Sequence, residues 1–160
     1  MDHAKKNKCI LPCTPIAVVK ILEAEGVFDK SLAEGSRLQG KSITVVNRSE
    51  IVGRPLAALL ANDGATVYSI DIDSTFKVTR GSRCVRCELS TEEACRLSQA
   101  VILGVPSKGF KLDAALCIKP GTLVVNVSSC KNVHAEELEK IQGVRYCSAV
   151  GKVTVAMLER

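Results

Sequence analysis

The stretch SITVVNRSEIVGRPLAALLAN, residues 42–62, decides the fold of this chain. It opens with residues 42–46, a β-branched run that predicts a buried strand. Gly53 and Pro55 follow a short polar turn and suit the junction where a loop enters a helix, because proline is favoured in the first helical turn. A strand that runs through a tight turn into a helix is the building unit of open α/β sheets.

The same alternation of strand and helix continues on both sides of this stretch. Thr14 as the N-cap and Pro15 at the first helical position predict an earlier helix that ends near Gly26. Further strands are predicted at 65–70, 100–103, 123–127 and 144–147, and further helices at 112–118, 136–141 and 153–160, with another that begins near Ser90. Residues 72–89 are polar and basic without a clear period, and we interpret them as a loop. The alternation predicts an α/β fold: a Rossmann-like parallel sheet with helices on both faces, in a single domain.

Composition restricts the class of protein. A length of 160 residues suits one domain, and 46% hydrophobic with 24% charged residues is typical of a globular chain. The sequence has no apolar run of about 20 residues that could span a membrane. A net charge of +5 suits an anionic ligand, whereas 3% aromatic residues are few for a surface that stacks bases. We therefore expect neither a membrane nor a nucleic acid as a partner.

The eight cysteines are too few for a disulfide scaffold and predict a reduced, cytoplasmic protein. Cys84 and Cys87 form a CxxC pair, but a zinc site would need a second close pair. A thioredoxin-like role is also disfavoured, because this pair does not open a helix after a strand. We expect no metal and interpret the cysteines as small, mostly buried apolar side chains.

The turn after residue 46 could hold a phosphate. Of the G-x-G-x-x-G fingerprint of dinucleotide-binding turns, only Gly53 is present. A helix N-terminus nevertheless offers free N–H groups to an anion. Arg48 could add a bidentate grip on phosphate, and Ser49 could add a hydroxyl donor. The turn taken alone is equally compatible with a tight loop and a solvated arginine.

Asp71 favours the dinucleotide interpretation. It ends the second predicted strand, roughly where dinucleotide-binding folds place an acid on the adenosine ribose, about 20 residues after the turn. Asp73 is a competing acid, and both could instead cap a loop. Because ligands of open α/β sheets bind beyond the carboxyl ends of the strands, we expect the site among the segments that follow those ends. These segments are 47–53, 71–73, 104–107 and 126–131.

Several motifs resemble the methylenetetrahydrofolate dehydrogenase family in order and spacing. They are PCTP at 12–15, NRSEIVGRPL at 47–56, GATV at 64–67, KPG at 119–121 and GKVTVAML at 151–158. The similarity is greatest to the monofunctional NAD-dependent enzymes of fungi. The bifunctional members usually carry glycine in place of Asn47 and a PGGVGPMT run in place of residues 147–154. The resemblance extends from about Ile10 to Leu158.

The resemblance implies an NAD-dependent oxidoreductase of one-carbon metabolism and purine biosynthesis. Hydride would pass from 5,10-methylenetetrahydrofolate to NAD, giving 5,10-methenyltetrahydrofolate. Residues 41–160 would form the NAD(P)-binding Rossmann-like domain, and residues 1–40 an N-terminal segment with a connecting helix.

The family's folate-binding domain, whose Tyr and Lys position and polarise the substrate, has no room before Pro12. We therefore expect no catalytic residue in this chain, no turnover by the chain alone, and methylenetetrahydrofolate as a partner only together with that domain. A free-standing NAD-binding module and an inactive truncated copy stay open as alternatives. The sequence does not decide the oligomeric state, and a homodimer stays open.

The resemblance also implies which residues meet the cofactor. Residues 48–49 would lie on the adenosine side, where the matching pair of NADP-using relatives receives the 2′-phosphate. Residues 71–72 would border the adenine ribose, and residues 104–106 the nicotinamide half. Cys130 and Thr154 would approach the same cleft from loops. The full set is Arg48, Ser49, Gly53, Asp71, Ile72, Gly104, Val105, Pro106, Cys130 and Thr154.

Overall fold

A computed structural model describes residues 12–148 and 150–158 of the chain. The helices are α1 (Cys13–Ala24), α2 (Gly53–Asn62), α3 (Thr91–Leu97), α4 (Ala114–Cys117), α5 (Ala135–Glu139) and α6 (Val150–Leu158). The strands are β1 (Ser42–Val46), β2 (Thr66–Asp71), β3 (Ser74–Thr79), β4 (Arg83–Cys87), β5 (Ala100–Leu103), β6 (Leu123–Asn126) and β7 (Arg145–Cys147). A short 3₁₀ turn, Arg80–Ser82, joins β3 to β4.

The seven strands form one sheet in the order β4-β3-β2-β1-β5-β6-β7. The five strands from β2 to β7 in that order are parallel, whereas β3 and β4 pair antiparallel at one edge. The register aligns Ile70, Val46, Leu103 and Asn126 across four adjacent strands. Because these residues stand at or next to the carboxyl ends of their strands, the loops that follow emerge side by side at one edge of the sheet.

Two apolar clusters hold helices to the two faces of the sheet. The side chains of β1 point alternately into the two clusters. Ile43 and Val45 pack with α1, α2 and α6, whereas Val46 packs with α3, α4 and α5. Such burial on both faces explains why the central strands read as continuous apolar runs. The predicted Rossmann-like sheet with helices on both faces is confirmed. Within the described residues, no helix is both long and apolar enough to cross a bilayer.

The prediction that residues 72–89 form a loop is wrong. The hairpin of β3 and β4 occupies most of this segment, and Asp71 pairs with Ser74 across a two-residue turn. The period-2 signal is present, since Phe76 and Val78 share the sheet face that packs on α2 while Lys77 is exposed. Basic residues mask it because this hairpin forms the sheet edge, where exposed charges discourage association of one edge with another.

The limits of the terminal helices also differ from the predicted ones. Helix α1 begins at Cys13, with Pro12 in extended conformation as its N-cap, so Thr14 lies inside the first turn and does not cap it. Pro15 fits there because the first N–H groups of a helix have no intrahelical partner. Helix α6 begins at Val150, three residues before the predicted start, and the predicted residues 159–160 lie outside the described part of the chain.

Candidate cofactor site

A cleft opens at the carboxyl ends of β1 and β5. In the sheet, β2 lies on one side of β1 and β5 lies on its other side, so the strand order reverses at β1. Ligands of open α/β sheets bind at such a reversal of strand order. The cleft encloses about 170 Å³ and is lined by Val45, Val46, Asn47, Ser49, Val52, Gly53, Ile102, Gly104, Pro106, Val127, Ser128 and Ser129. Of the described residues that line it, none carries an acidic or basic side chain. The cleft can therefore bind and orient a ligand, but its lining supplies no general acid or base.

The turn between β1 and α2 depends on Gly53. A β-carbon at this position would lie 2.1 Å from the carbonyl oxygen of Asn47, so no other residue fits without a shift of the backbone. Gly53 thus provides the close approach of helix to strand that the last glycine of a dinucleotide-binding turn provides. Asn47 itself has a φ of +87°, in the left-handed region that asparagine tolerates better than most residues.

Ser49 organises the N-terminus of α2. Its Oγ accepts hydrogen bonds from the backbone N–H groups of Val52 and Gly53, both at 3.2 Å, and its carbonyl accepts from Arg54 N–H at 2.9 Å. The two accepted bonds orient the hydroxyl at the wall of the cleft. Its own proton can then be donated to an oxygen of a bound ligand.

The segment after β5 is held by amide side chains on both sides. Asn47 Nδ2 donates to the Gly104 carbonyl at 2.6 Å across the cleft floor. From the other side, Asn132 Oδ1 accepts from Val105 N–H at 3.0 Å, and its Nδ2 donates to the Val105 carbonyl at 2.9 Å. Ser128 Oγ donates to the same carbonyl at 2.9 Å. The backbone at Gly104 and Val105 is therefore fixed before any ligand arrives.

A second amide shapes the loop after β6. Buried Asn126 donates through Nδ2 to the carbonyls of Ser128 and Cys130, both at 3.0 Å, while its Oδ1 is buried without a partner in the described structure. The backbone N–H of Cys130 donates to Ser128 Oγ, also at 3.0 Å. Cys130 therefore lies in a braced turn next to the cleft, and its side chain is half-buried.

Asp71 and Ile72 lie at the tip of the β2–β3 hairpin. The Asp71 carboxylate accepts the Ile72 N–H at 2.9 Å, and both side chains are exposed, Ile72 to 95%. Asp73 shares the same turn and is also exposed. The hairpin thus presents two acids and one apolar side chain beyond the carboxyl end of β2, where the sequence predicts contact with an adenine ribose.

Two predicted site residues have local partners instead of an open cleft. Arg48 turns toward β2 and β3, where it bonds Ser69 and Ser74 and covers the Phe76 ring. Thr154 lies within α6 and not on a loop, and its hydroxyl donates to the Val150 carbonyl at 3.0 Å.

Sequence reasoning missed the two asparagines of the β6 region as organising residues. Asn126 fell inside the predicted 126–131 segment without a role, and Asn132 fell one position outside it. The signal available in the sequence is their position beside apolar residues, Val125 and Val133, because a buried amide needs partners and finds them in nearby backbone.

The groups with displaced pKa values lie away from the cleft. Burial raises the pKa of the Tyr146 hydroxyl above its usual 10.0. The hydrogen bond with Cys117, together with burial, raises the pKa of the Cys95 thiol, and hydrogen bonds from Ser31 lower that of Asp29. Cys84 and Cys87, three apart on β4, point to opposite faces of the strand. Within the described residues, no three His, Cys, Asp or Glu side chains gather as a metal site would require.

Comparison with known proteins supplies the family. Residues 12–160 match the family described as tetrahydrofolate dehydrogenase/cyclohydrolase, NAD(P)-binding domain. The chain belongs to this family. Its resemblance to methylenetetrahydrofolate dehydrogenases is thereby confirmed, as is the prediction that it forms their NAD(P)-binding part.

Relatives of this tetrahydrofolate dehydrogenase/cyclohydrolase domain carry consistent names. The methylenetetrahydrofolate dehydrogenase [NAD(+)] of Dictyostelium discoideum is 51% identical over 96% of this chain and 50% of its own length. The protein of the same name from Schizosaccharomyces pombe is 48% identical over 100% of this chain and 52% of its own length. The solved NAD-dependent 5,10-methylenetetrahydrofolate dehydrogenase from Saccharomyces cerevisiae superimposes with a TM-score of 0.87 at 44% identity, covering 99% of this chain and 52% of that one. The chain thus spans about half the length of the relatives it matches.

Proposed function

We propose that this chain is the NAD-binding half of a 5,10-methylenetetrahydrofolate dehydrogenase. The observation that carries the proposal is the cleft at the β1–β5 reversal, whose floor and walls are braced by Gly53, Asn47 and Asn132. When NAD is bound, its nicotinamide supplies the hydride acceptor, and 5,10-methylenetetrahydrofolate becomes 5,10-methenyltetrahydrofolate. The cofactor supplies the reactive group, and this half of the enzyme holds the cofactor in position.

Most of the predicted site residues have a proposed task in this arrangement. Gly53 and Ser49 present the N-terminus of α2 to the pyrophosphate, where free N–H groups and the helix dipole favour an anion. Asp71 accepts a hydrogen bond from the ribose 2′-OH, with Ile72 beside the adenine. Residues 104–106 pass along the nicotinamide half. Cys130 approaches the cleft from the turn after β6, whereas Thr154 lies in α6 outside the cleft lining. Arg48 lies on the adenosine side.

The substrate is proposed to be held by a folate-binding domain of the kind that the resemblance implies. Hydride transfer requires the donor carbon roughly 3–3.5 Å from the nicotinamide. The described residues around the cleft offer no charged group to hold a folate there. We therefore propose that this chain supplies no catalytic residue and turns over only when joined to that domain.

The wider setting follows from the same proposal. The reaction would serve one-carbon metabolism and purine biosynthesis in the cytoplasm, where thiols stay reduced; the cysteines from Cys13 to Cys147 are free of disulfides. Neither a membrane nor a nucleic acid is proposed as a partner.

Titration of the purified chain with NAD tests the proposal. Isothermal titration calorimetry should give a Kd in the micromolar range or weaker, together with a rise in melting temperature. A spectrophotometric assay with methylenetetrahydrofolate and NAD should show no NADH formation. Absence of both heat and melting shift at millimolar NAD would refute cofactor binding, and robust NADH formation would refute the need for a second domain.

A further inference from the structure

We propose that Arg48 is a positioning residue that braces the turn carrying Asp71, and that its withdrawal from the cofactor determines the choice of NAD over NADP. The inference rests on the proposed binding of NAD. It departs from the expectation that Arg48 and Ser49 together receive a 2′-phosphate.

Most of the hydrogen-bond donors of Arg48 are already in use. A guanidinium has five N–H groups. Nε donates to Ser69 Oγ at 3.2 Å, and Nη1 donates to Ser74 Oγ at 3.1 Å. Nη2 donates to the carbonyls of Ser69 and Ser74, both at 2.8 Å. Four donors are therefore committed and one is left, whereas a bidentate grip on phosphate uses two parallel donors.

An aromatic ring also packs against the Arg48 guanidinium. The central carbon of Arg48 lies 4.3 Å from the centroid of the Phe76 ring, within the range of a cation–π interaction. One flat face of the guanidinium is thus covered by β3. To reach a phosphate, the side chain would have to leave this ring and also break bonds to two serines.

The hydrogen bonds of Arg48 connect the two strands that flank the turn of Asp71. Ser69 belongs to β2 and Ser74 opens β3, and Ser74 pairs directly with Asp71 across the two-residue turn. Arg48 therefore joins both strands of the hairpin at its tip. A brace at this point fixes the backbone from which the Asp71 carboxylate projects.

The charge that remains at the tip is negative. Asp71 and Asp73 are exposed there, and within the described structure neither forms an ion pair with Arg48. A ribose 2′-OH can donate to a carboxylate, whereas a 2′-phosphate would meet the like charge of both acids without the Arg48 guanidinium to neutralise it. Arg86 lines the same pocket as the two acids, but Glu88 beside it balances its charge. The contacts that hold Arg48 against β2 and β3 thus favour the binding of NAD and disfavour the binding of NADP.

The test compares dinucleotide affinities of the purified chain and its variants. Isothermal titration gives the ratio of Kd for NADP to Kd for NAD for the wild type, Arg48→Gln and Arg48→Lys. The matched control is Arg83→Gln, an exposed arginine of β4 that pairs with Thr79, at the end of β3 far from the Asp71 turn. We expect both Arg48 variants to weaken NAD by about three- to thirtyfold and to weaken NADP less, because lysine cannot replace the four directed bonds that brace the turn carrying Asp71. The ratio should therefore fall below that of the wild type in both Arg48 variants, and Arg83→Gln should change neither affinity.

The proposal is overturned if Arg48→Gln weakens NADP as much as NAD or more, or if Arg48→Lys retains NADP binding that Arg48→Gln loses. A second readout needs no cofactor: amide hydrogen exchange at Ile72 and Asp73 should accelerate in Arg48→Gln but not in Arg83→Gln. Unchanged exchange would show that Arg48 does not brace the turn. If the wild type binds neither dinucleotide, the proposed function fails, and the exchange result still decides whether Arg48 braces the turn.

Discussion

The side-chain amide of Asn132 pairs with both backbone groups of Val105, accepting its N–H at 3.0 Å and donating to its carbonyl at 2.9 Å. Asn132 is fully buried, so solvent does not compete for these bonds in the folded chain. The pairing resembles one step of a strand ladder, made by a side chain. It extends the order of β5 past the residue where the strand itself ends.

Replacing Asn132 with alanine should therefore destabilise the fold. The change leaves the Val105 N–H without an acceptor and its carbonyl with Ser128 alone, and a buried unpaired group costs about 1–3 kcal/mol. We expect urea denaturation to give a free energy of unfolding lower by roughly 2–3 kcal/mol, with a matching loss of NAD affinity. Gln142→Ala, an exposed amide, is the control and should change stability little. A loss no greater than that of the control would show that the pairing carries no energy.

Gly53→Ala should disrupt the turn between β1 and α2. Because the added β-carbon would lie 2.1 Å from the Asn47 carbonyl, the turn must open or the helix must move. We expect more than tenfold weaker NAD binding and a clearly lower melting temperature. Gly151→Ala is a close control, since Gly151 lies in α6 with nothing within 4 Å of a new β-carbon. Alanine there should be neutral or stabilising by about 0.5–1 kcal/mol, and equal behaviour of the two variants would contradict the steric argument.

The wild type should prefer NAD, and Asp71→Ser should reduce that preference. Two unit charges about 4 Å apart interact by roughly 4 kcal/mol at an effective dielectric constant of about 20, and a phosphate carries more than one charge. Allowing for solvent at this exposed tip, we expect a bias of about 1–3 kcal/mol, or about 5–150-fold in the ratio of affinities. A competition titration of NAD against NADP measures the ratio for both proteins. Preference for NADP in the wild type, or an unchanged ratio in Asp71→Ser, would contradict the assignment of Asp71 to the ribose.

Tyr146 should titrate above its usual pKa of 10.0, because burial disfavours the phenolate. A pKa raised by folding contributes stability that is fully present below the unfolded value and is lost as the pH rises through the folded value. Stability should therefore fall above about pH 10. The chain has two tyrosines, so phenolate absorbance in Tyr68→Phe reports Tyr146 alone. A midpoint at or below that of a free tyrosine in denaturant would contradict the prediction.

Much of the fold could be predicted because the central strands are buried on both faces. The prediction of strands such as Leu123–Asn126 and Ser42–Val46 depends only on their burial, and an apolar run in a sequence indicates a buried segment directly. The β3–β4 hairpin escaped prediction because it packs on one face and exposes basic residues on the other, so its alternation resembles a polar loop. The helix limits were less certain, since a proline such as Pro15 fits any position of a first turn.

A site residue could be predicted where the backbone itself requires that residue type. It was harder to predict where the residue acts by holding other residues in place. Gly53 could be found because few residues fit a close strand-to-helix turn. Asn132 could not, because its role depends on a loop that reaches it from elsewhere in the chain. Arg48 was assigned a phosphate because its type suits one, whereas its bonds to Ser69 and Ser74 depend on a hairpin that was not predicted.

The bracing of Gly104 and Val105 from both neighbouring strands has a consequence for the cost of ligand entry. A segment that is already confined to one conformation loses little conformational entropy when a ligand binds, so its order is supplied by folding and not by the ligand. Backbone order parameters at these two residues should then be as high in the free chain as in the bound one. If the two halves of a dehydrogenase close over their substrates, the motion has to arise outside this segment, which would act as the fixed wall against which the other half moves.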